Sequence, residues 1–484
     1  MDIVGREKEI KLFERIVASP QAEFVAVYGR RRVGKTYLVQ QCLAKKGTYM
    51  ECTGIKDGRL HDQLLNFIQS FAAAFYPGLP LQAPKGWREA FELLTNELKK
   101  ASSTKKKIIL FLDELPWLAT RKSELLQNLD YFWNTQWSKY PHFKLVVCGS
   151  AASWMLAHLI NAKGGLYNRI TRSLLLEPFN LSETKAFLGR KKIKLTEKQV
   201  LDLYMVMGGV PYYLNQLDPT KSIVQNINDL CFKKDGLLYS EFLRLFQSLF
   251  ETAELNLQIV KEIAKRRYGV AYSELIEKTG KKAGGRFNER LYELEAAGFI
   301  QRFLPYGRKK RDHYYKVIDE YTLFYLKWIS EIADGKAIPK GADYWTTISK
   351  SPAWFSWAGF SFESVCYKHI DKIIHALGLE GVGCLASHWR YQAGLGEKGE
   401  GAQIDLLLER DDNAITVCEI KYASQPFIID KAYAKNLQNK LDIFEKHLKQ
   451  PRQLFCAMIT VAGLKRNVWS EDLIHNVVEL KDLF

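Results

Sequence analysis

Gly29-Arg30-Arg31-Arg32-Val33-Gly34-Lys35-Thr36 is the stretch on which the reading of this chain turns. Before it, Phe24-Val25-Ala26-Val27-Tyr28 is an apolar run of buried-strand length, and after it Tyr37-Leu38-Val39-Gln40-Gln41-Cys42-Leu43-Ala44 has apolar residues at helical spacing. The turn is therefore a complete G-x-x-x-x-G-K-[ST] in the strand-loop-helix context the motif requires. Its glycines let the backbone N–H groups of Arg30, Arg31, Arg32, Val33 and Gly34 curl around a β-phosphate. Lys35 reaches the β- and γ-phosphates, the Thr36 hydroxyl ligates Mg²⁺, and the helix amino terminus adds its positive dipole. ATP and Mg²⁺ are the expected ligands.

A loop of this kind needs an acidic metal partner at the end of another strand. Ile108-Ile109-Leu110-Phe111-Leu112-Asp113-Glu114 supplies an apolar run ending in two carboxylates, a Walker B signature. Asp113 is expected to hold Mg²⁺ through water and Glu114 to polarise the attacking water. A third apolar run, Lys144 to Gly149, ends in Ser150, where such folds place a γ-phosphate sensor.

The chain has 484 residues, too many for one hydrophobic core, and at 47% hydrophobic and 26% charged it has the composition of a folded protein rather than a disordered one. No apolar run reaches the ~18 to 20 residues of a membrane span, and the beginning, Met1 to Phe13, alternates charge with apolar residues instead of forming a signal peptide. A cytoplasmic location without membrane contact is expected. None of the eight cysteines forms a CxxC pair or sits at zinc-ligand spacing, so they read as reduced and mostly buried. The net charge of +16 favours a polyanionic partner, and residues 261 to 316, with 15 Lys and Arg against 7 Asp and Glu, carry half of that excess.

Over roughly residues 1 to 330 the chain resembles the AAA+-like and STAND branch of P-loop ATPases, especially the archaeal-type ATPase family. The resemblance rests on Val4-Gly5-Arg6-Glu7, both Walker motifs, Gly149-Ser150 and Gly208-Gly209-Val210-Pro211-Tyr212-Tyr213-Leu214. It implies that Arg6 lies near the adenine and that Pro211 packs by the base at the opening of a helical lid. It also implies an arginine finger, for which Arg169 or Arg172 can serve, and a nucleotide-dependent homo-oligomer; both arginines equally fit an ordinary surface role.

Residues 183 to 250 read as the helical lid. From 255 onward the pattern is helix, helix, helix, then a hairpin, the layout of a winged helix, with Arg286, Asn288 and Arg290 on the third helix and a basic tip from Pro305 to Arg311. In a DNA-binding version that helix enters the major groove; in the alternative the unit is a lid packed on the nucleotide domain. Residues 330 to 350 lack periodicity and read as a boundary.

Beyond the boundary, Gln403 to Arg410 and Ala414 to Lys421 read as a strand hairpin around Asp411-Asp412-Asn413, preceded by a helix containing Phe362-Glu363. Asp405 and Glu419 on adjacent strands can bind one Mg²⁺, with Glu363 completing an oxygen site. Lys421, two residues from Glu419, shares its strand face and can steady a hydrolytic water or the scissile phosphate. This resembles the PD-(D/E)xK nuclease-like domain commonly fused to archaeal-type ATPases, over roughly 352 to 484, with Ile404 in place of the motif proline. The resemblance implies Mg²⁺- or Mn²⁺-dependent DNA cleavage, or an intact fold used for binding alone.

The expected fold is thus α/β: a P-loop three-layer αβα ATPase domain (1–180), a helical lid (181–250), a winged helix (251–330) and a carboxy-terminal α/β restriction-endonuclease-like domain (350–484). The expected function is ATP binding and hydrolysis that controls nucleic-acid binding or cleavage, with DNA held by the winged helix and the last domain. The alternative is a STAND-type regulatory switch whose nuclease-like domain binds a partner.

Overall fold

Five parallel strands organise the first domain: β1 (Glu23–Tyr28), β2 (Thr48–Thr53), β3 (Ile108–Asp113), β4 (Phe143–Gly149) and β5 (Arg172–Leu175), in the order β2-β3-β4-β1-β5. The computed structural model describes residues 3–161, 166, 168–250, 252–308, 313–335, 344–391 and 401–484. The strands are apolar throughout because both faces are covered. Phe24, Ala26, Leu110 and Leu112 pack with the helices Leu60–Phe75, Trp87–Thr104 and Leu125–Thr135. Val25, Val27, Ile109 and Phe111 pack with Glu7–Ala18 and Lys35–Leu43, completing three layers. Lys144, wholly buried on β4, donates to the carbonyls of Ser19, Pro141 and Gln21, so its three donors are satisfied.

The order of strands matters for chemistry. β4 lies between β1 and β3, so the carboxyl ends of three neighbouring strands set Gly29, Ser150 and the Asp113-Glu114 pair side by side.

Five helices follow, Leu181–Arg190, Glu197–Met207, Pro211–Asn215, Ile223–Cys231 and Leu237–Leu249. Next come the helix Ala253–Ala264, β6 (Val270–Ala271), the helices Tyr272–Thr279 and Gly285–Ala296, and a hairpin of β7 (Ile300–Phe303) and β8 (Tyr314–Val317). These strands form a small antiparallel sheet ordered β6-β8-β7. The basic tip expected at Pro305 to Arg311 is described as far as Arg308; Lys309, Lys310 and Arg311 lie outside the described residues.

The last domain opens with the helix Pro352–Lys368 and is built on β9 (Cys384–Tyr391), β10 (Ala402–Arg410), β11 (Ala414–Lys421), β12 (Gln453–Thr460) and β13 (Asn476–Glu479), in the order β13-β12-β11-β10-β9. The first three strands are antiparallel and the last three parallel, with the crossover helix Lys431–Lys446 between β11 and β12.

A single hydrophobic core runs from Phe179 through the helical and hairpin regions into the last sheet at Leu406, Cys418 and Ile459. The stretch 330–350, expected to be a boundary, joins that core where it is described. Tyr344–Ile348 is helical, and Trp345 is 2% exposed and stacked 5.5 Å from Phe232. The aromatic pair Tyr344-Trp345 outweighs the Gly, Lys and Pro around it. All eight cysteines are free thiols, seven of them buried, and among the described residues no helix is long and apolar enough to cross a membrane.

Candidate functional site

The phosphate loop takes its shape from backbone that favours glycine. Gly29 has φ +134° and a Cβ there would meet the Leu176 carbonyl at 2.4 Å, while Gly34 has φ +91°. Lys35, 6% exposed, folds back to donate to the carbonyls of Gly29 (3.0 Å) and Arg30 (2.9 Å). Thr36 Oγ1 donates to Asp113 Oδ2 at 2.8 Å, which joins the two expected Mg²⁺ positions directly. Burial pushes the Asp113 carboxyl up, offset by the Thr36 hydrogen bond. Glu114, in the left-handed region at φ 48°, accepts from both the N–H (3.1 Å) and the hydroxyl (2.9 Å) of Ser150. An Mg²⁺-nucleotide therefore fits the residues present: hydroxyl and carboxylate oxygens suit the hard cation, and the loop and Lys35 suit its phosphates.

Arg6 and the glycine-proline turn also reach this loop. Arg6 donates to Val33 O (3.4 Å) and Glu177 O (2.7 Å), and its guanidinium lies 4.6 Å from the Phe179 ring. Gly209 packs so closely on Phe179 that a Cβ would sit 1.8 Å from its carbonyl. Pro211 starts the helix whose Tyr212 lies 4.4 Å from the Arg32 guanidinium.

The two candidate fingers are placed elsewhere. Arg172 pairs with Val25 on the exposed edge strand β5, four residues, or roughly 13 Å of strand, short of Gly29. Arg169 precedes it and is exposed; Gly165 and Tyr167 of the same segment lie outside the described residues. Within one chain neither arginine is brought to the phosphate loop.

Residues 3–217 match the model of an ATPase domain predominantly from Archaea. The amino-terminal region carries an archaeal-type P-loop ATPase domain. Along nearly its whole length the chain is similar to an uncharacterized protein of Methanocaldococcus jannaschii, 24% identical over 464 residues, 92% of this chain and 94% of the relative. Among solved structures it is similar to a Walker-type ATPase of Pyrococcus abyssi (19% identity, 67% of this chain, 96% of that chain, TM-score 0.49). Another is the ORC2 protein of Aeropyrum pernix (14% identity, 68% and 94%, TM-score 0.41).

Two arginines of the ATPase domain's loop serve the rest of the molecule, a role that reading them as phosphate-loop backbone missed. Arg30 is ion-paired with Asp319, just past β8, and Arg32 with Glu241 at 2.5 Å. Both acids are buried, at 1% and 2% exposure. A buried carboxylate wants a cation, so Asp319 and Glu241 ahead of apolar runs are the signal that could have raised the question.

The carboxy-terminal acids form a second cluster. A register shift in the β9–β10 ladder falls between Ile404 and Leu407, and such a bulge re-aims the residue inside it, here Asp405. Its carbonyl accepts from Tyr367 Oη (3.0 Å) and bonds to His388 Nδ1 (2.9 Å), and its Oδ2 accepts the Ile420 N–H (3.2 Å). Glu419, wholly buried, is held by Lys421 (3.2 Å), Lys440 (2.8 Å) and Tyr433 Oη (3.0 Å). Burial pushes its carboxyl up, but the two ammonium groups override this and leave it below its ordinary value. Glu363 is paired with Arg267, from the turn before β6; burial first, then the Asp405 charge, still push it up to about 7. Lys316 of β8 lies 3.8 Å from the Tyr367 ring and 3.2 Å from His388 Nε2, and burial pulls it down to about 8.

The structure thus brings Glu363, Asp405, Glu419 and Lys421 to one place but does not make them a metal site in this arrangement. Among the described residues no three His, Cys, Asp or Glu converge to hold an ion; Arg267, Lys421 and Lys440 satisfy the acids instead. Tyr433 and Lys440, seven residues apart on one helix face, were legible as a pair only from that spacing.

The third helix, Gly285–Ala296, is turned partly inward. Of Arg286, Asn288 and Arg290, Arg290 is 9% exposed and spent on Thr252 (2.8 Å) and Glu293 (3.0 Å), and Asn288 accepts from Tyr272 Oη (2.6 Å). Tyr292 of the same helix meets Asn161 of the ATPase domain at 3.5 Å. One face of that helix therefore packs inward. His369 also joins two regions: its Nε2 accepts the Leu181 N–H at 3.1 Å.

Proposed function

We propose that the chain is an ATP-hydrolysing switch whose nucleotide site controls a nucleic-acid site in the carboxy-terminal domain. The helices and hairpin of residues 253–317 are read as a winged helix, and residues 352–484 as a restriction-endonuclease-like fold. The observation that carries the reading is a short path between the two sites. Arg30 of the phosphate loop pairs with Asp319, three residues from Lys316, which touches His388 and Tyr367, and both of these hold the Asp405 carbonyl.

ATP with Mg²⁺ supplies the reactive γ-phosphoryl group. Lys35 exchanges the Gly29 and Arg30 carbonyls for phosphate oxygens, and Thr36 and Asp113 hold the cation. Glu114, aimed by Ser150, orients the attacking water. Because Lys35 and Arg30 share one loop, what occupies that loop bears on the Arg30–Asp319 pair and on everything behind it.

The test is ATP hydrolysis and nucleic-acid cleavage by the full chain with Mg²⁺ or Mn²⁺, comparing Lys35→Ala and Asp405→Ala. Cleavage lost in Asp405→Ala and altered by ATP only when Lys35 is present supports the switch with an active nuclease. ATP hydrolysis without cleavage under any condition removes the nuclease.

One observation favours a second reading, a regulatory switch whose last domain binds without cutting: three cations and a tyrosine already occupy Glu363 and Glu419. Binding of nucleic acid with unchanged affinity in Asp405→Ala, and no cleavage, supports that version.

A further inference from the structure

A cleft of about 810 Å³ separates the edge strand β9 from the turn before β6 and the β7–β8 hairpin. Its cations are Lys265, Arg266, Arg267, Arg308 and Arg390, against one acid, Glu274, among the described residues that line it. Lys265 and Arg266 have partners in Glu262 and Glu274, whereas neither Arg308 nor Arg390 has a carboxylate partner among the described residues.

Aromatic rings stand between the charges. Tyr268 is 39% exposed, with the guanidinium of Arg390 5.0 Å and that of Arg267 5.5 Å from its ring; Tyr306 and Tyr391 line the cleft farther along. The floor leads to the acid cluster: Gln403 lines the cleft and donates to Asp405 Oδ1 at 3.4 Å, and Arg267 is the residue paired with Glu363.

We infer that this cleft binds a single strand of nucleic acid and leads it to Asp405 and Glu363. The inference rests on the nucleic-acid reading above and narrows it to a strand rather than a duplex. Guanidinium groups match phosphates and an exposed ring between them stacks a base, the combination that grips unpaired strands without sequence preference. A duplex keeps its bases stacked inside and offers no base face to Tyr268, so the exposed ring between guanidinium groups selects an unpaired strand. The hairpin and β9 meet in a backbone hydrogen bond from Tyr306 N–H to His388 O (2.8 Å), so the cleft closes at one end. Arg267 has two roles in this arrangement: it lines the path, and it covers Glu363, so a phosphate that draws its guanidinium away uncovers that carboxylate.

The experiment is fluorescence anisotropy with the full chain in EDTA, using labelled dT15, rU15 and a 15-base-pair duplex. The parent should bind one or both single strands at least ~10-fold more tightly than the duplex. Arg308→Glu with Arg390→Glu should weaken single-strand binding by ~30-fold or more and flatten its salt dependence, and Tyr268→Ala by ~5-fold or more, each with the thermal midpoint of the parent. Duplex bound as well as single strands, or single-strand affinity unmoved by the double substitution, overturns the inference. ATP-controlled, Asp405-dependent cleavage of duplex without single-strand binding would overturn the cleft and leave the proposed function standing. Single-strand binding lost in the double variant, with no cleavage by any form, would uphold the cleft and remove the nuclease.

Discussion

The Arg30 guanidinium, in the phosphate loop, is ion-paired with Asp319, a carboxylate 1% exposed and two residues past the end of β8. Such a pair is costly to break from one side, because the remaining charge stays buried, and cheap to replace whole. Asp319→Ala should therefore destabilise the chain by about 3 to 5 kcal/mol. Arg30→Met with Asp319→Asn, which keeps an acceptor for the Thr322 N–H (2.9 Å) and hydroxyl (2.6 Å), should recover most of that loss. Urea unfolding of the two variants checks it, and a double variant as unstable as Asp319→Ala would remove the pair from the account.

Glu114 and Ser150 divide binding from chemistry. Glu114→Gln should hold nucleotide within ~3-fold of the parent affinity and lower the hydrolysis rate by about 10² to 10⁴-fold, as expected for a lost general base. Ser150→Ala, which removes the hydroxyl on Glu114 Oε2 but keeps the backbone N–H, should lower it less. Fluorescent-nucleotide binding beside phosphate release reads both; equal losses in affinity and rate would place Glu114 in binding instead.

Arg267 covers Glu363. Arg267→Met should raise Mn²⁺ affinity at the acid cluster by ~10-fold or more, read by titration calorimetry, with Asp405→Asn abolishing the gain. An unchanged Mn²⁺ isotherm would show that the guanidinium does not compete with a cation there.

His369 ties the helix Pro352–Lys368 to the helix Leu181–Arg190 and must be neutral to accept the Leu181 N–H. Burial holds its pKa below the ordinary value, with Lys368 and Lys372 adding to the shift and the Val365 carbonyl and Glu320 opposing it. Between its folded pKa and ~6.5 the unfolded chain binds more protons, so stability falls as pH drops through that window, by at most ~1.4 kcal/mol per pH unit. His369→Gln keeps an acceptor without a titration, so the fall between pH 6.5 and 5 should be shallower than in the parent. Thermal midpoints across that range decide it, and parallel curves would exclude His369 as the source.

Gly209→Ala is the severest small change available, since its Cβ would lie 1.8 Å from the Phe179 carbonyl. A loss of at least ~2 kcal/mol is expected because backbone, not a movable side chain, is in the way. A melting temperature unchanged from the parent would contradict the contact.

The ATPase domain was legible because each of its decisive residues sits inside a local pattern. Gly29 to Thr36 follow an apolar strand and open a helix, and Asp113-Glu114 end another. Asp405, Glu419 and Lys421 were legible as a group for the same reason, strand alternation around a turn, and Glu363, on the preceding helix, through the nuclease-like resemblance. What could not be read is pairing across sequence distance. Nothing near Arg30 indicates Asp319, and nothing near Glu363 indicates Arg267, because each partnership is made by packing between domains. Arg290 stayed open between two readings for a related reason: helix position says which residues share a face, and the burial of that face depends on what lies against it.

Four indoles, Trp328, Trp345, Trp354 and Trp357, meet where the helices before the last sheet join its first helix, and five of their six pairs have ring centroids 5.0 to 6.5 Å apart. Rings so close couple their strongest transitions and give a signed couplet in the far-ultraviolet circular dichroism spectrum that isolated indoles lack. The join is thus its own optical gauge. Adding nucleotide or a nucleic-acid strand to the unlabelled protein and watching that couplet reports, without any attached dye, whether the two halves of the molecule shift against each other.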